Sequence, residues 1–247
     1  MIIYPDIELR DGKCVNLIKG DHANPKIYQR DPVDAAREFV AAGGNWLHVV
    51  DLDVVFHTGD NSALVEQIVA IPGASVQIAG GIRSINQVRQ WVEMGASRVV
   101  IATAAVKNPA FVIEAALAYP DQVVVSIDCR AGKVVVDGWR ESTIFSPVEF
   151  AGQFADSPLA AFIYTDVDRE IDGSEDTLSN LVEFASGTQT PVIASGMVQT
   201  IEDISRIKYL PNIAGVITGR ALFGHRFTLE EAIAIGAEPM PATAPFV

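Results

Sequence analysis

The second half of this chain repeats the first at a nearly constant offset. Val76-Gln77-Ile78-Ala79-Gly80-Gly81-Ile82 aligns with Val192-Ile193-Ala194-Ser195-Gly196-Met197-Val198, and Val99–Ala104 aligns with Gly215–Ala221. Asp51-Leu52-Asp53 aligns with Asp166-Val167-Asp168 and Glu8 with Asp128, so every offset is about 115–120 residues, half of the 247-residue chain. Repetition at one period means that one structural unit has been used twice.

The unit itself is an alternation of short β-rich runs and amphipathic helical segments. The strand candidates are Met1–Glu8, Trp46–Leu52, Ser75–Ala79, Arg98–Ala102, Gln122–Asp128, Ala161–Asp166, Pro191–Ser195 and Ile213–Thr218. Most are nearly continuous apolar runs, as parallel strands buried on both faces require. Helix starts are marked between them by Asp31-Pro32, Ser84, Asn108-Pro109, Ser146-Pro147 and Thr200. Eight strands alternating with about eight helices predict a (β/α)8 barrel, whose usual length is roughly 250 residues. A doubly wound open sheet is the runner-up. It gives no reason for one constant offset, and no G-x-G-x-x-G follows the first strand. Residues 1–236 are expected to form this single barrel domain, with 237–247, which contains three prolines, as a loosely ordered tail.

Apolar residues at 49% and charged residues at 20% fit a globular chain. The net charge of −13 argues against nucleic acid or an anionic membrane as partner. No apolar run reaches membrane-spanning length, and no basic leader precedes the first strand. Two cysteines, Cys14 and Cys129, make neither a disulfide framework nor a metal pattern, so a cytoplasmic location is expected.

In such barrels the chemistry lies at the C-terminal strand ends. Glu8 and Asp128 end strands on opposite sides of the mouth. Two small-residue turns face each other there: Gly80-Gly81 with Thr103, and Gly196 with Gly219-Arg220. Each leads into a helix start, which suits phosphate. The pattern therefore suggests a ligand with two phosphates spanning the mouth over two carboxylates.

Several motifs resemble a known family. Asp11-Gly12-Lys13-Cys14-Val15, Leu47-His48-Val49-Val50-Asp51-Leu52-Asp53, Gly80-Gly81-Ile82-Arg83-Ser84, Asp137-Gly138-Trp139 and Gly219-Arg220-Ala221-Leu222 are similar to the ProFAR isomerases of histidine biosynthesis. The sister family is the bifunctional phosphoribosyl isomerase A, which also serves tryptophan synthesis. The resemblance runs from Ile2 to about Ile235. It implies a cofactor-free and metal-free Amadori rearrangement of a small phosphoribosyl substrate by a monomeric enzyme. By position it makes Glu8 the base, Asp128 the acid and Trp139 a lid that stacks on the substrate. It places His48 and Thr165 in the lining, and Gly81, Thr103, Gly173, Ser195, Gly196, Gly219 and Arg220 at the phosphates.

The sequence also departs from that pattern. Glu8 stands where the family has aspartate, which moves the carboxylate outward by about 1.5 Å. Asp6, two residues away on the same strand face, is a second carboxylate candidate. Ala79, Ala102 and Met197 replace glycines of the phosphate turns, where a side chain can obstruct a cradle or forbid its backbone angles. Asn16 replaces an arginine. The segment after the sixth strand is longer and more acidic. Two other readings follow: a paralogue that turns over another phosphosugar, including phosphoribosyl anthranilate, or only binds one, and a cyclase of the imidazole glycerol phosphate synthase type.

Plainer roles compete at several positions. Trp139 can pack on the rim, and Trp46 and Trp91 read as core. His48 on an apolar strand reads as lining, while His22, His57 and His225 show no partner pattern. Asp51, Asp53, Asp166 and Asp168 resemble a metal cluster but read better as loop braces, because no His or Cys joins them at ligand spacing.

Overall fold

The alternation that buries β1 on both faces also decides what points into the site. A computed structural model describes residues 1–17, 21–167 and 177–237. In chain order its elements are β1 (Ile2–Arg10), β2 (Lys13–Asn16), β3 (Lys26–Ile27), α1 (Pro32–Ala41), β4 (Trp46–Asp51), α2 (Leu52–Phe56), α3 (Ser62–Val69), β5 (Ser75–Ala79), α4 (Ile85–Glu93), β6 (Arg98–Ile101), α5 (Thr103–Lys107) and α6 (Pro109–Ala118). The second half holds β7 (Val123–Arg130), β8 (Lys133–Val136), β9 (Glu141–Ser142), α7 (Pro147–Gly152), β10 (Ala161–Asp166), α8 (Thr177–Ser186), β11 (Val192–Ser195), α9 (Ile201–Ile207), β12 (Ile213–Thr218), α10 (Arg220–Phe223) and α11 (Leu229–Gly236).

Among the described residues, eight strands pair in parallel in the order β10-β11-β12-β1-β4-β5-β6-β7, and β7 closes the ring on β10. This is the (β/α)8 barrel. Ile3, Ile7 and Leu9 of β1 face outward into the layer shared with the helices. Tyr4 faces inward, with Val100, Val124, Ile163, Ile193 and Ile217 from other strands, in a separate buried cluster that fills the barrel. The period-2 alternation of a strand produces this split. Towards the strand N-termini, Arg98 lies 4.4 Å over the Trp46 ring and donates to the Tyr4 hydroxyl at 3.2 Å. A guanidinium stacked on an aromatic face and hydrogen-bonded is well accommodated there.

The strands expected to stop at Glu8 and Asp128 run on to Arg10 and Arg130 and turn back as hairpins. Asp11 and Gly12 (φ 48° and 71°) make the first turn, Ala131 and Gly132 (φ 46° and 72°) the second. Two successive left-handed residues suit the tight two-residue turn whose twist matches the strands. The halves agree in register: Glu8 pairs with Val15, and Asp128 pairs with Val135. The internal repeat is thus a repeat of the two carboxylates and of the hairpins behind them. Residues 238–247, nearly all of the expected tail, lie outside the described residues. No helix among the described residues is long and apolar enough to cross a membrane.

Candidate active site

The C-terminal strand ends open into a cavity of about 310 Å³ lined by residues of all eight barrel strands. Glu8 and Asp128 both line it. They sit on β1 and β7, the first and fifth of the eight strands, and so on opposite walls. Asp6 lies on the same face one layer below Glu8, level with His48 in the β1–β4 register.

Asp128 is surrounded by donors but keeps partial access to the mouth. Trp139 Nε1 donates to its Oδ2 at 2.9 Å, and the Ser126 hydroxyl, two residues down the strand, lies 3.4 Å from Oδ1. Burial raises the Asp128 carboxyl above its ordinary value, against the lowering effect of hydrogen bonds from Trp139, Thr165 and Ser126. Desolvation disfavours the charged carboxylate, and donors to it favour it. Glu8 lies in different company: the Asn16 side-chain amide donates to its Oε2 at 3.2 Å.

His48 is buried, and its Nδ1 lies 2.9 Å from the Gln77 amide nitrogen. Burial pushes the His48 pKa down to about 4, so the ring is neutral at physiological pH.

The glycine turns are built for close approach. Gly80 and Gly81 both have positive φ (119° and 63°). A Cβ on Gly81 would lie 2.2 Å from Val54 Cγ1, and one on Gly80 would lie 2.6 Å from the Asp51 carbonyl oxygen. A Cβ on Gly219 would come within 3.0 Å of the Asp6 carboxylate. Of the three lost glycines, the one replaced by Met197 leaves its turn clear. Met197 is 1% exposed and packs into the outer core, while Gly196 (φ 76°) supplies the left-handed residue. Ala79, the last residue of β5, and Ala102 (φ −109°, ψ −100°) both line the cavity, so a methyl group stands on its wall at each of these places.

Thr103 lines the cavity, but its hydroxyl also accepts from the Asp137 backbone N–H at 3.0 Å. Lys107 Nζ pairs with Asp137 Oδ2 at 2.7 Å, and Arg130 donates to the Trp139 carbonyl at 3.2 Å. α5 and β7 therefore hold the loop that carries the indole. Thr165, Ser195, Gly196, Gly219 and Arg220 all line the same cavity. Gly173 and Asp168 lie outside the described residues.

The Asp51–Asp53 pair is a brace. Asn61 donates to Asp51 Oδ2 from its backbone (2.6 Å) and to Asp51 Oδ1 from its side chain (2.7 Å), and it also reaches Asp53 Oδ2 at 2.9 Å. Asp53 also accepts from the Asp11 N–H and the Thr58 hydroxyl, both at 2.7 Å. Burial opposes its charge, but the donors hold its pKa below the ordinary value. The network latches the first hairpin turn to the segment after β4. Asp166 accepts from Asn180 at 3.3 Å.

Three neighbours of the mouth escaped the sequence reading. Arg83 Nη2 lies 3.3 Å from His57 Nε2, and both line the cavity beside Gly81. The contact spans 26 residues, a separation that no local pattern reports. Ser126 could have been found, since it lies two residues from Asp128 on one strand face.

A closed (β/α)8 barrel with paired carboxylates at its mouth is the framework of a barrel enzyme. The chain belongs to the family described as "Histidine biosynthesis protein", whose model matches residues 2–228. It is 43% identical over 246 residues, covering 100% of both chains, to the Ruegeria pomeroyi protein named 1-(5-phosphoribosyl)-5-((5-phosphoribosylamino)methylideneamino) imidazole-4-carboxamide isomerase 2. A protein of Ruegeria sp. named as isomerase 1 of the same kind is 44% identical over 241 residues, with 98% of this chain and 97% of that one covered. The isomerase of that name from Paramagnetospirillum magneticum is 39% identical over 236 residues, covering 95% of this chain and 99% of the other.

Proposed function

We propose that this protein performs the isomerisation for which its relatives are named, converting the phosphoribosyl aminoaldose ProFAR to the aminoketose PRFAR in histidine biosynthesis. One observation carries the reading: Glu8 and Asp128 occupy equivalent register positions in the two halves, face one cavity, and have unlike surroundings. Two carboxylates in different environments can divide acid and base roles at one pH.

Asp128, which burial biases toward its protonated form, donates its proton to the ribose ring oxygen. The C1–O bond breaks, and the nitrogen lone pair forms a C1=N Schiff base. Glu8 takes the C2 proton, the C2–H electrons form C1=C2, and the imine electrons return to nitrogen as an enolamine. Tautomerisation then moves the enol proton to C1 and leaves a ketone at C2. Atoms and electrons balance within the substrate, so the sequence of steps calls for no external oxidant.

Gly81 and Thr103 are assigned to one phosphate, and Ser195, Gly196, Gly219 and Arg220 to the other. Backbone N–H groups at such turns suit anions, which offsets the net charge of −13. Trp139 stacks on the bound substrate, while His48 and Thr165 line its middle. A monomer in the cytoplasm completes the reading.

The test is turnover of ProFAR by the purified protein, followed spectroscopically without added metal or cofactor. Turnover that disappears in Asp128→Asn supports the reading. No turnover by the unaltered protein overturns it.

A further inference from the structure

Asn16 is the last residue of β2, one position beyond the Val15 that pairs with Glu8. Its Nδ2 donates to Glu8 Oε2 at 3.2 Å, and it lines the same cavity. The other end of the amide has no such partner: Asn16 Oδ1 is buried without a hydrogen bond among the described residues. Rotating the amide by half a turn would set that oxygen against a carboxylate, so Glu8 dictates its orientation.

The equivalent place in the second half shows what the fold alone requires. There Val136 follows Val135, the partner of Asp128, and it is 7% exposed. An apolar side chain therefore fits this end of the hairpin. A buried amide with an orphaned oxygen is a poorer structural choice than valine. Its presence beside Glu8 and not beside Asp128 points to the carboxylate that it holds.

We propose that Asn16 is a positioning residue for Glu8. A glutamate side chain has one more rotatable bond than an aspartate, so its carboxylate can swing away from the substrate. The hydrogen bond from Asn16 pins the carboxylate against the wall of the mouth, where it can take the C2 proton. This deepens the isomerase reading given above and rests on it.

The experiment compares the unaltered protein with Asn16→Leu and Asn16→Asp, using ProFAR with hydrogen or deuterium at C2. Loss of one hydrogen bond to a charged, precisely placed group is expected to lower kcat about 10- to 100-fold in Asn16→Leu. KM should stay within about twofold, because the interaction acts on the base and not on bound substrate. The melting temperature should not fall. The C2 deuterium isotope effect on kcat should grow as proton removal becomes slower. Asn16→Asp, an isostere that sets a like charge against Glu8, should lose more and serves where the leucine variant fails to fold. If both variants keep kcat within about twofold of the unaltered protein, Asn16 is not a positioning residue and the isomerase reading stands. Absence of turnover in the unaltered protein overturns both.

Discussion

The indole N–H of Trp139 is hydrogen-bonded to Asp128 Oδ2 at 2.9 Å, from a loop in which Asp137, Gly138 and Trp139 all have positive φ (52°, 66° and 67°). A left-handed conformation costs a bulky residue about 1–2 kcal/mol. The loop sustains it because Thr103, Lys107 and Arg130 hold its backbone and the Asp137 side chain. The indole is thus held in contact with the proposed acid.

Trp139→Phe tests that contact. Asp128 must be protonated to act as an acid, so activity falls as pH rises through its pKa. The indole donor favours the ionised carboxylate, and its removal raises that pKa further. The alkaline limb of kcat/KM should therefore move to higher pH. The height of the profile should drop on the order of tenfold with loss of the donor and of part of the stacking surface. Full pH–rate profiles of both proteins decide it; an unmoved limb separates Trp139 from the titration of the acid.

Asp128→Asn should separate function from stability. Removing a general acid typically costs 10²- to 10⁴-fold in rate. The folded-state pKa of Asp128 lies above its ordinary value, so the folded protein binds this proton more tightly than the unfolded chain. Its contribution to stability is present below the unfolded pKa and is lost as pH rises through the folded pKa. At pH 7.5 the variant should then melt no lower than the unaltered protein. The difference should narrow near pH 4. A variant that melts lower at pH 7.5 would mean that the carboxylate braces the loop more than burial penalises it.

His48 makes the opposite prediction for acid stability. Its folded pKa is about 4 against an unfolded value of 6.5. The unfolded chain takes up this proton first, so stability falls as pH drops from about 6.5 to about 4. The loss attributable to His48 at pH 4.5 is roughly 2–3 kcal/mol. Urea unfolding at pH 7 and pH 4.5 should show that much less acid sensitivity in His48→Gln. Equal acid sensitivity in the two proteins would place the penalty elsewhere.

The barrel was legible because parallel strands buried on both faces are written as continuous apolar runs. Ser75–Ala79, Ala161–Asp166 and Ile213–Thr218 begin and end where the sequence reading places them. The hairpins were not, because Lys13–Asn16 and Lys133–Val136 are short and follow two-residue turns with no apolar period of their own. Missing them hid the register that sets Val15 beside Glu8 and Val135 beside Asp128. The carboxylates themselves were visible, since the internal repeat aligns them. Met197 shows the limit of reading glycine losses: the sequence says that a side chain is added, while only the turn's direction says that it enters the core. Asp51 and Asp53 were correctly read as braces, but their common partner Asn61 lies on another segment and has no periodic signature.

Glu8→Asp bears on whether the glutamate is fitted to this site. The shorter side chain withdraws the carboxylate by about 1.5 Å and takes it out of reach of the 3.2 Å hydrogen bond from Asn16. A displacement of about 1 Å at a reacting group can cost on the order of 100-fold. We expect kcat to fall by about that factor, with KM changed by no more than about threefold, because the phosphate turns at Gly81 and Gly219 are untouched. Glu8→Gln, which keeps the length but cannot accept a proton, should fall further. A rise in turnover for the aspartate variant would show that the chain tolerates the glutamate without using its length, and that Asn16 holds a carboxylate already out of place.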